Sequence, residues 1–552
     1  MGSRYEPDRP VRLGQMSMTR RRVRDARIHS RRTLPAAVAV FVIAAALASC
    51  SITHDDPASP PPPLTRDVSG VTTTTTTIVG AGAVATGAST SLPAPAPLTY
   101  SITWEPAADR TEVGTITVPV DYSDPQGATL DLRVARHKAD PDRRIGVLAT
   151  NNGGPGAAAS TMALNAESWF PPEITDRFDV VSWDPRGTGA SGASVDCIDD
   201  SEIDRFFSEP DFSPDDAGER QANIDLAREI AERCVERVDH LTSIGTNNSA
   251  RDLDAIRQAL DEPQISYFGF SYGSELGGVW ATLYPTTVRA AVFDGATDPT
   301  ADPIERSKDQ WIGFENALDT FLAQCSADSD CAFHNDGDAE GAFDALMAQL
   351  DASPLPSADG RVAVSRDVAA TAVVQAMYSD AYWPGLERAL EDAAGGDGAA
   401  LLQLSDAYFR RNTDGTYSNL IESFQAITCM DEVERPTVEE SDAKAVDLIG
   451  VAPRLFPYTT GTYTCTFFPP SPDPRVEITG IGAGPIVVIG TTGDPSTPLE
   501  SSRAMADALE DGRFVIVVAN HHTGYRMNSC VDDLVEDYLV NLVAPPDETT
   551  CS

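Results

Sequence analysis

Ser271 sits in the stretch ISYFGFSYGSELGG, residues 265–278, where it is framed as Gly269-x-Ser271-x-Gly273. A serine hydroxyl is a poor nucleophile until a base takes its proton. Glycines on either side let the chain make a turn sharp enough to present the hydroxyl between a strand and a helix. The triplet alone arises by chance in roughly one chain in several of this length, at ~7% usage per residue type. An ordinary glycine-rich bend is therefore the alternative, and the remaining chemistry has to be found elsewhere. The base would be a histidine, whose proton affinity lies near working pH. Of the 7 histidines, His29 and His54 lie in the N-terminal segments, His137 is on a strand pattern, and His240 and His334 are in helix–loop stretches. Only the adjacent His521 and His522 follow a β-branched run at its carboxyl end. The acid would be Asp494 in GTTGDPSTP, directly after the run Pro485–Ile489. It would accept the imidazole N–H and fix the tautomer; an Asp before Pro is alternatively a turn former. Two backbone N–H groups would hold a developing oxyanion: that of Tyr272, after the nucleophile, and that of Gly153 in NNGGPG.

Those residues share a placement. Short apolar runs at Ile145–Thr150, Phe178–Trp183, Ile265–Phe270, Ala290–Phe293, Pro485–Ile489 and Phe514–Val518 each end in Gly, Pro, Asp, Ser or His. Such runs read as strands buried on both faces, hence a parallel sheet. Helical periodicity intervenes at Ala250–Leu260, Tyr272–Leu283, Leu499–Leu509 and Val531–Leu542. Strand and helix in alternation predict a doubly wound α/β fold, with ligands beyond the carboxyl ends of the strands. Val113–Val120 and Thr129–Ala135 alternate like a hairpin in front of this unit. Residues 300–470 are mostly helical in pattern (Trp311–Leu322, Ala342–Leu350, Val368–Met377, Gly385–Asp392) and read as a cap inserted into the core. The expected organisation is a core over 98–299, the helical cap over 300–470, and the core resumed over 471–552.

The N-terminal part has a different character. Residues 1–49 combine many arginines with the apolar run LPAAVAVFVIAAALAS and end before Cys50. The run has the length of a signal-peptide core and is short for a membrane span. Leu47-Ala48-Ser49-Cys50 resembles a bacterial lipobox, so Cys50 is the expected lipidation site. Residues 50–97 are rich in Pro and Thr and too poor in large apolar side chains to bury a core, which predicts a disordered tether. The formal charge of −42 argues against nucleic acid or anionic lipid as partners of the folded part. Beyond Cys50, eight cysteines remain: Cys197, Cys234, Cys325, Cys331, Cys429, Cys465, Cys530 and Cys551. An even number in an exported chain predicts disulfides, and pairing sequence neighbours is the simplest of roughly a hundred arrangements. No cysteine or histidine spacing matches a zinc site, and no metal or cofactor is called for.

Taken in order, NNGGPG, DPRGTGAS, GFSYG, GDPSTP and the late histidine resemble the proline-iminopeptidase-type α/β hydrolases. The resemblance is nearest to the secreted tripeptidyl aminopeptidases of actinobacteria, whose mycobacterial branch comprises cell-envelope serine proteases. It covers about residues 100–552. It implies an α/β-hydrolase fold, a serine triad of Ser271, Asp494 and His522, and cleavage of short peptides from polypeptide N-termini through an acyl-enzyme. Two departures stand out: His521-His522 where the family commonly has Gly-His, and GGPGAAAS where GGPGGSG is common. Aligning on Thr523 makes His522 the base, with His521 as the alternative. An aminopeptidase must also hold a cationic amine, for which Asp431 and Glu432 in ITCMDE are candidates. Asp184 and Arg186 in DPRG are expected to hold a loop together by ion pairing rather than to touch substrate. The expected partners are peptide or protein substrates, with no nucleic acid, the membrane only through the lipid anchor, and the chain a monomer at the outer face of the cytoplasmic membrane or secreted. A carboxylesterase or lipase on the same triad, and an inactive envelope binding protein, are the competing functions.

Overall fold

Among the described residues, ten strands form a single sheet in the order β1-β2-β3-β5-β4-β6-β7-β8-β9-β10. In chain order they are β1 (Ile102–Ala108), β2 (Thr111–Pro119), β3 (Thr129–His137), β4 (Gly146–Asn151), β5 (Phe178–Trp183), β6 (Ile265–Phe270), β7 (Val288–Asp294), β8 (Ile486–Thr491), β9 (Gly512–Val517) and β10 (Thr549–Cys551). The computed structural model describes residues 98–552 apart from 190, 213, 215, 358–360 and 458–462. The leader, Cys50 and the tether lie outside the described residues. The described residues belong to one compact unit, Pro93–Ser552, in which no described helix is long and apolar enough to cross a membrane.

β1–β3 and the β3–β5 pair are antiparallel, and every pairing from β5 through β10 is parallel. β4, β5, β6 and β8 are buried at every position, which is why they read as unbroken apolar runs rather than alternating ones. Alternate side chains still serve opposite faces. Ala149, Val181, Tyr267, Phe293 and Val488 pack into one core layer, and Leu148, Val180, Phe268, Val292 and Ile489 into the other.

Between β7 and β8 the chain leaves the sheet. The helices Pro303–Ala327, Ala339–Ala352, Arg366–Met377 and Trp383–Ala394 bury a separate apolar core around Phe321, Phe343, Leu350, Val373 and Leu386. A later helix of the same insertion, Leu420–Asp431, instead places Ala426, Ile427 and Met430 in the sheet-side core. Four disulfides join Cys197 to Cys234, Cys325 to Cys331, Cys429 to Cys465, and Cys530 to Cys551, the pairing of sequence neighbours. Arg186 is buried and structural, but its carboxylate partner is Asp252, with Nη2 to Oδ1 at 2.6 Å. Asp184 accepts the Ser160 N–H at 2.8 Å.

Candidate active site

Strand β6 ends at Phe270 and the helix Tyr272–Leu283 begins two residues later, so Ser271 alone makes the turn. Its backbone lies at φ 54°, ψ −126°, a sparsely populated region for a residue with a side chain, at a cost of roughly 1–3 kcal/mol. Its N–H donates to Asp294 O at 2.8 Å. The flanking glycines follow from the sharpness of the turn. A side chain at Gly269 would strike the backbone of Gly273, and a Cβ at Gly273 would come within 2.8 Å of Asn151 O. This is the strained elbow anticipated for Gly269-x-Ser271-x-Gly273.

Asp494 follows β8 and is 4% exposed; His522 follows β9 and is 8% exposed. His522 Nδ1 lies 2.9 Å from Asp494 Oδ1 and 3.1 Å from Oδ2. The carboxylate also accepts the N–H groups of Ser496 and Thr497, both at 2.9 Å, and faces Thr497 Oγ1 at 3.0 Å. The turn-forming and acidic readings of Asp494 therefore hold together: the turn fixes the carboxylate that faces the imidazole. Burial alone would lower the proton affinity of His522. The charge and hydrogen bond of Asp494, with the charge of Asp294, outweigh it and leave the imidazole raised above its ordinary value. His522 Nε2 is buried and has no hydrogen-bond partner among the described residues.

His521 points elsewhere. Its Nδ1 lies 2.8 Å from Thr523 O and 3.0 Å from Thr523 N, and burial lowers its proton affinity. Asp494 thus meets the second histidine of the pair.

The loop Gly153-Gly154-Pro155-Gly156 passes beside the elbow with all three glycines at positive φ (89°, 115° and 99°). A Cβ at Gly153 would stand 2.7 Å from Phe270 O and 2.8 Å from Ser271 Cβ. The position matches the expected oxyanion loop, with one difference. The Gly153 N–H donates to Asn151 Oδ1 at 2.9 Å, because the asparagine side chain folds back over its own turn. Tyr272 occupies the first position of its helix, where an N–H has no intrahelical acceptor. Gly156 lies against the cap: a Cβ there would reach Phe424 N at 2.8 Å and Ser423 Cβ at 3.1 Å, so the helix Leu420–Asp431 closes directly over this loop.

The cap also reaches the histidine. The N–H of His522 donates to Tyr378 O at 3.0 Å, and that of Asp380 to Asn520 O at 3.2 Å, around an antiparallel bridge between Ser379 and His521. The Tyr378 ring meets the His522 ring edge-on at 5.3 Å. Nothing in the sequence around Tyr378 signals this contact, which the backbone makes across more than a hundred residues.

Asp431 and Glu432 both have partners within the chain. Asp431 is partly buried at the end of its helix and accepts from Thr246 N at 2.6 Å and Thr246 Oγ1 at 2.5 Å. Burial, reinforced by the charge of Glu275, pushes it up to about 7. Thr246 Oγ1 in turn lies 2.5 Å from Tyr272 Oη, so Asp431 braces the first residue of the helix Tyr272–Leu283 from beneath. Glu432 pairs with Arg306 of the first cap helix.

A family profile described as alpha/beta hydrolase fold matches residues 150–525, from the Gly153 loop to just past His522. Among proteins of known description, the chain is similar to serine protease Hip1 of Mycobacterium tuberculosis, at 33% identity over 79% of this chain and 86% of that one. It is similar to carboxylesterase B of the same organism at 35% identity over 81% and 88%. It is similar to tripeptidyl aminopeptidase of Streptomyces lividans at 28% identity over 80% and 83%.

Proposed function

The chain is an enzyme of the α/β-hydrolase family, and from that premise we propose that it is an exported serine peptidase releasing short peptides, tripeptides foremost, from polypeptide N-termini. Ser271 Oγ attacks the scissile carbonyl while His522 Nε2 takes its proton. Asp494 holds Nδ1–H and stabilises the imidazolium that forms. His522 then returns the proton to the leaving amine, and water resolves the acyl-enzyme by the same route in reverse. The observation that carries this reading is the asymmetry of His522: Nδ1 is engaged by a buried carboxylate, while Nε2 is buried without a partner. That leaves one lone pair, in a protected place, for the serine proton. The oxyanion is received by the Tyr272 N–H. The Gly153 loop is the second source of donors, although the Gly153 N–H itself donates to Asn151 Oδ1.

Peptide rather than ester substrates are supported by the descriptions of two relatives as a serine protease and a tripeptidyl aminopeptidase. The amine of an unblocked peptide is recognised at Asp431 and Glu432, with Arg306 giving way at Glu432 to the incoming ammonium. Four disulfides suit an oxidising compartment, which agrees with export and with an anchor at Cys50. Ser271→Ala is expected to abolish fluorophosphonate labelling and nearly all turnover. Mass spectrometry of products from a mixed pool of unblocked peptides then reads the cleavage position, and internal cleavage or intact peptides would refute the aminopeptidase assignment. An esterase on the same triad is favoured by the similarity to carboxylesterase B. Faster turnover of short acyl esters with no turnover of tripeptide amides would select it.

A further inference from the structure

The three loops that bear Ser271, Asp494 and His522 come from three different strands, and one dipeptide touches all of them. Asp294 is the last residue of β7, between β6 and β8, and is fully buried. Its carbonyl oxygen accepts the Ser271 N–H at 2.8 Å, inside the elbow. Its carboxylate reaches the other way. Oδ1 accepts the Gly524 N–H at 2.7 Å and Oδ2 the Tyr525 N–H at 2.9 Å, two and three residues after His522. The next residue, Gly295, completes the set. Its N–H donates to Ile489 O at 2.9 Å, on the strand that leads to Asp494, and its carbonyl oxygen accepts from Thr497 Oγ1 at 2.9 Å. Gly295 has φ 65°, and a Cβ there would lie 3.3 Å from His522 Cε1 and 3.4 Å from Asp494 Oδ2.

We propose that Asp294 is a positioning residue, whose carboxylate ties the His522 loop to the same residue that anchors the Ser271 elbow and so keeps imidazole and hydroxyl in register. This role rests on the serine-hydrolase reading above. A buried polar group needs only one acceptor per N–H, which neutral side chains also supply, whereas a buried carboxylate is costly unless its charge is used. Here each oxygen takes one N–H, a pair of charge-assisted bonds that a neutral side chain cannot reproduce. His522 and Asp494 are the titratable groups that face it most closely. Burial pushes Asp294 up to about 7, and the two N–H groups and His522 pull against it towards the charged form. The residue is distinct from Asp494 in that it meets the backbone of the histidine loop, not the imidazole.

Asp294→Asn keeps an oxygen but forfeits one of the two N–H bonds, and Asp294→Ala forfeits both. The full chain of each is compared with the unsubstituted protein on a p-nitrophenyl ester and on an unblocked tripeptide p-nitroanilide. Rates are expressed per active site titrated with a fluorophosphonate, so that any misfolded fraction is removed from the comparison. A shift of about 1 Å between reacting groups costs about 10²-fold. The expected kcat is therefore down roughly 10-fold for Asn and up to ~10²-fold for Ala, with KM within about twofold, as for an interaction used only in the transition state. Full kcat per titrated site in Asp294→Ala, or equal losses in Asn and Ala, would overturn the role. Turnover that survives Ser271→Ala would instead sink the serine reading, and this role with it.

Discussion

Asp494→Asn tests the electrostatic half of the mechanism with the smallest change of shape. In the native site Asp494 Oδ1 accepts the Ser496 and Thr497 N–H groups at 2.9 Å each and also faces His522 Nδ1 at 2.9 Å. An asparagine oxygen is held at the Oδ1 position by those two backbone donors. Its NH2 group then falls where Oδ2 was, 3.1 Å from Nδ1, as a donor facing a donor. The loop survives and the charge does not. At ~4 Å between charge centres and an effective dielectric constant of ~20, the attraction for the imidazolium is about 4 kcal/mol, which is about three factors of ten in rate. Any population of the wrong tautomer, with the proton on Nε2, takes the loss towards ~10⁴-fold. The acid limb of kcat/KM moves too. His522 must be neutral to accept the serine proton, so activity is lost as pH falls through its pKa. In the native protein that pKa lies above the ordinary imidazole value, because Asp494 outweighs burial. With Asn at 494 the burial penalty persists and the limb moves to lower pH. Steady-state kinetics on an unblocked tripeptide amide between pH 5 and 9 measure both quantities, with thermal unfolding as the control for folding. A variant that keeps more than a tenth of the native kcat, or whose acid limb stays in place, would refute the assignment of Asp494 as the charge behind His522.

Three further outcomes are expected. Gly153→Ala puts a Cβ 2.7 Å from Phe270 O and 2.8 Å from Ser271 Cβ at a φ of 89°, so kcat should fall ~10²-fold while the protein still folds; an unchanged kcat would contradict the placement of this loop beside the elbow. Tyr378→Ala removes the ring that meets His522 edge-on, an interaction of ~0.5–1.5 kcal/mol, and should lower kcat roughly 2–10-fold, whereas Tyr378→Phe keeps the ring and should lose less; identical losses in the two would assign the effect to the hydroxyl. Glu422 accepts the N–H groups of Cys197 and Ile198 at 2.6 Å, and burial pushes it up to about 7. Because its folded pKa lies above the ordinary carboxyl value, the stability it contributes is present at low pH and declines as pH rises from ~4 to ~7. Glu422→Gln, which has no proton to lose, should therefore raise Tm relative to the native protein more at pH 8 than at pH 5; a pH-independent difference would show that Glu422 keeps its charge throughout.

Which parts of this site were legible in the sequence depends on how each residue does its work. Ser271, Gly269 and Gly273 are readable because a turn this sharp admits few residue types, so the demand of the backbone is written in the residues that satisfy it. β5 and β6 were bounded to the residue, since burial on both faces leaves an unbroken apolar run closed by Asp-Pro or Ser. β1 was missed: it is an edge strand whose seven residues include Pro106 and are mostly exposed, so neither alternation nor a run marks it. The helix Ala217–Arg237 was missed because few of its apolar side chains face the core. Its legible signal was the capping box Asp216-x-x-Glu219, where both reciprocal hydrogen bonds form.

The remaining contributions have no local signature. The loop of Gly153 lies beside Ser271, yet its N–H is taken by Asn151, and which of several nearby acceptors an N–H meets is settled by fractions of an ångström after folding. Tyr378 acts on His522 through its own carbonyl oxygen, which every residue type possesses, and Asp294 uses its carbonyl on the elbow and its carboxylate on backbone amides. Short-range constraint selects the residue type and leaves a pattern; long-range backbone bonding selects only a position. In this site the groups proposed to carry the chemistry are of the first kind, and those proposed to keep them in register are of the second. The variants that separate kcat from KM at Asp294 and Tyr378 thus probe the part of the mechanism that only the folded chain displays.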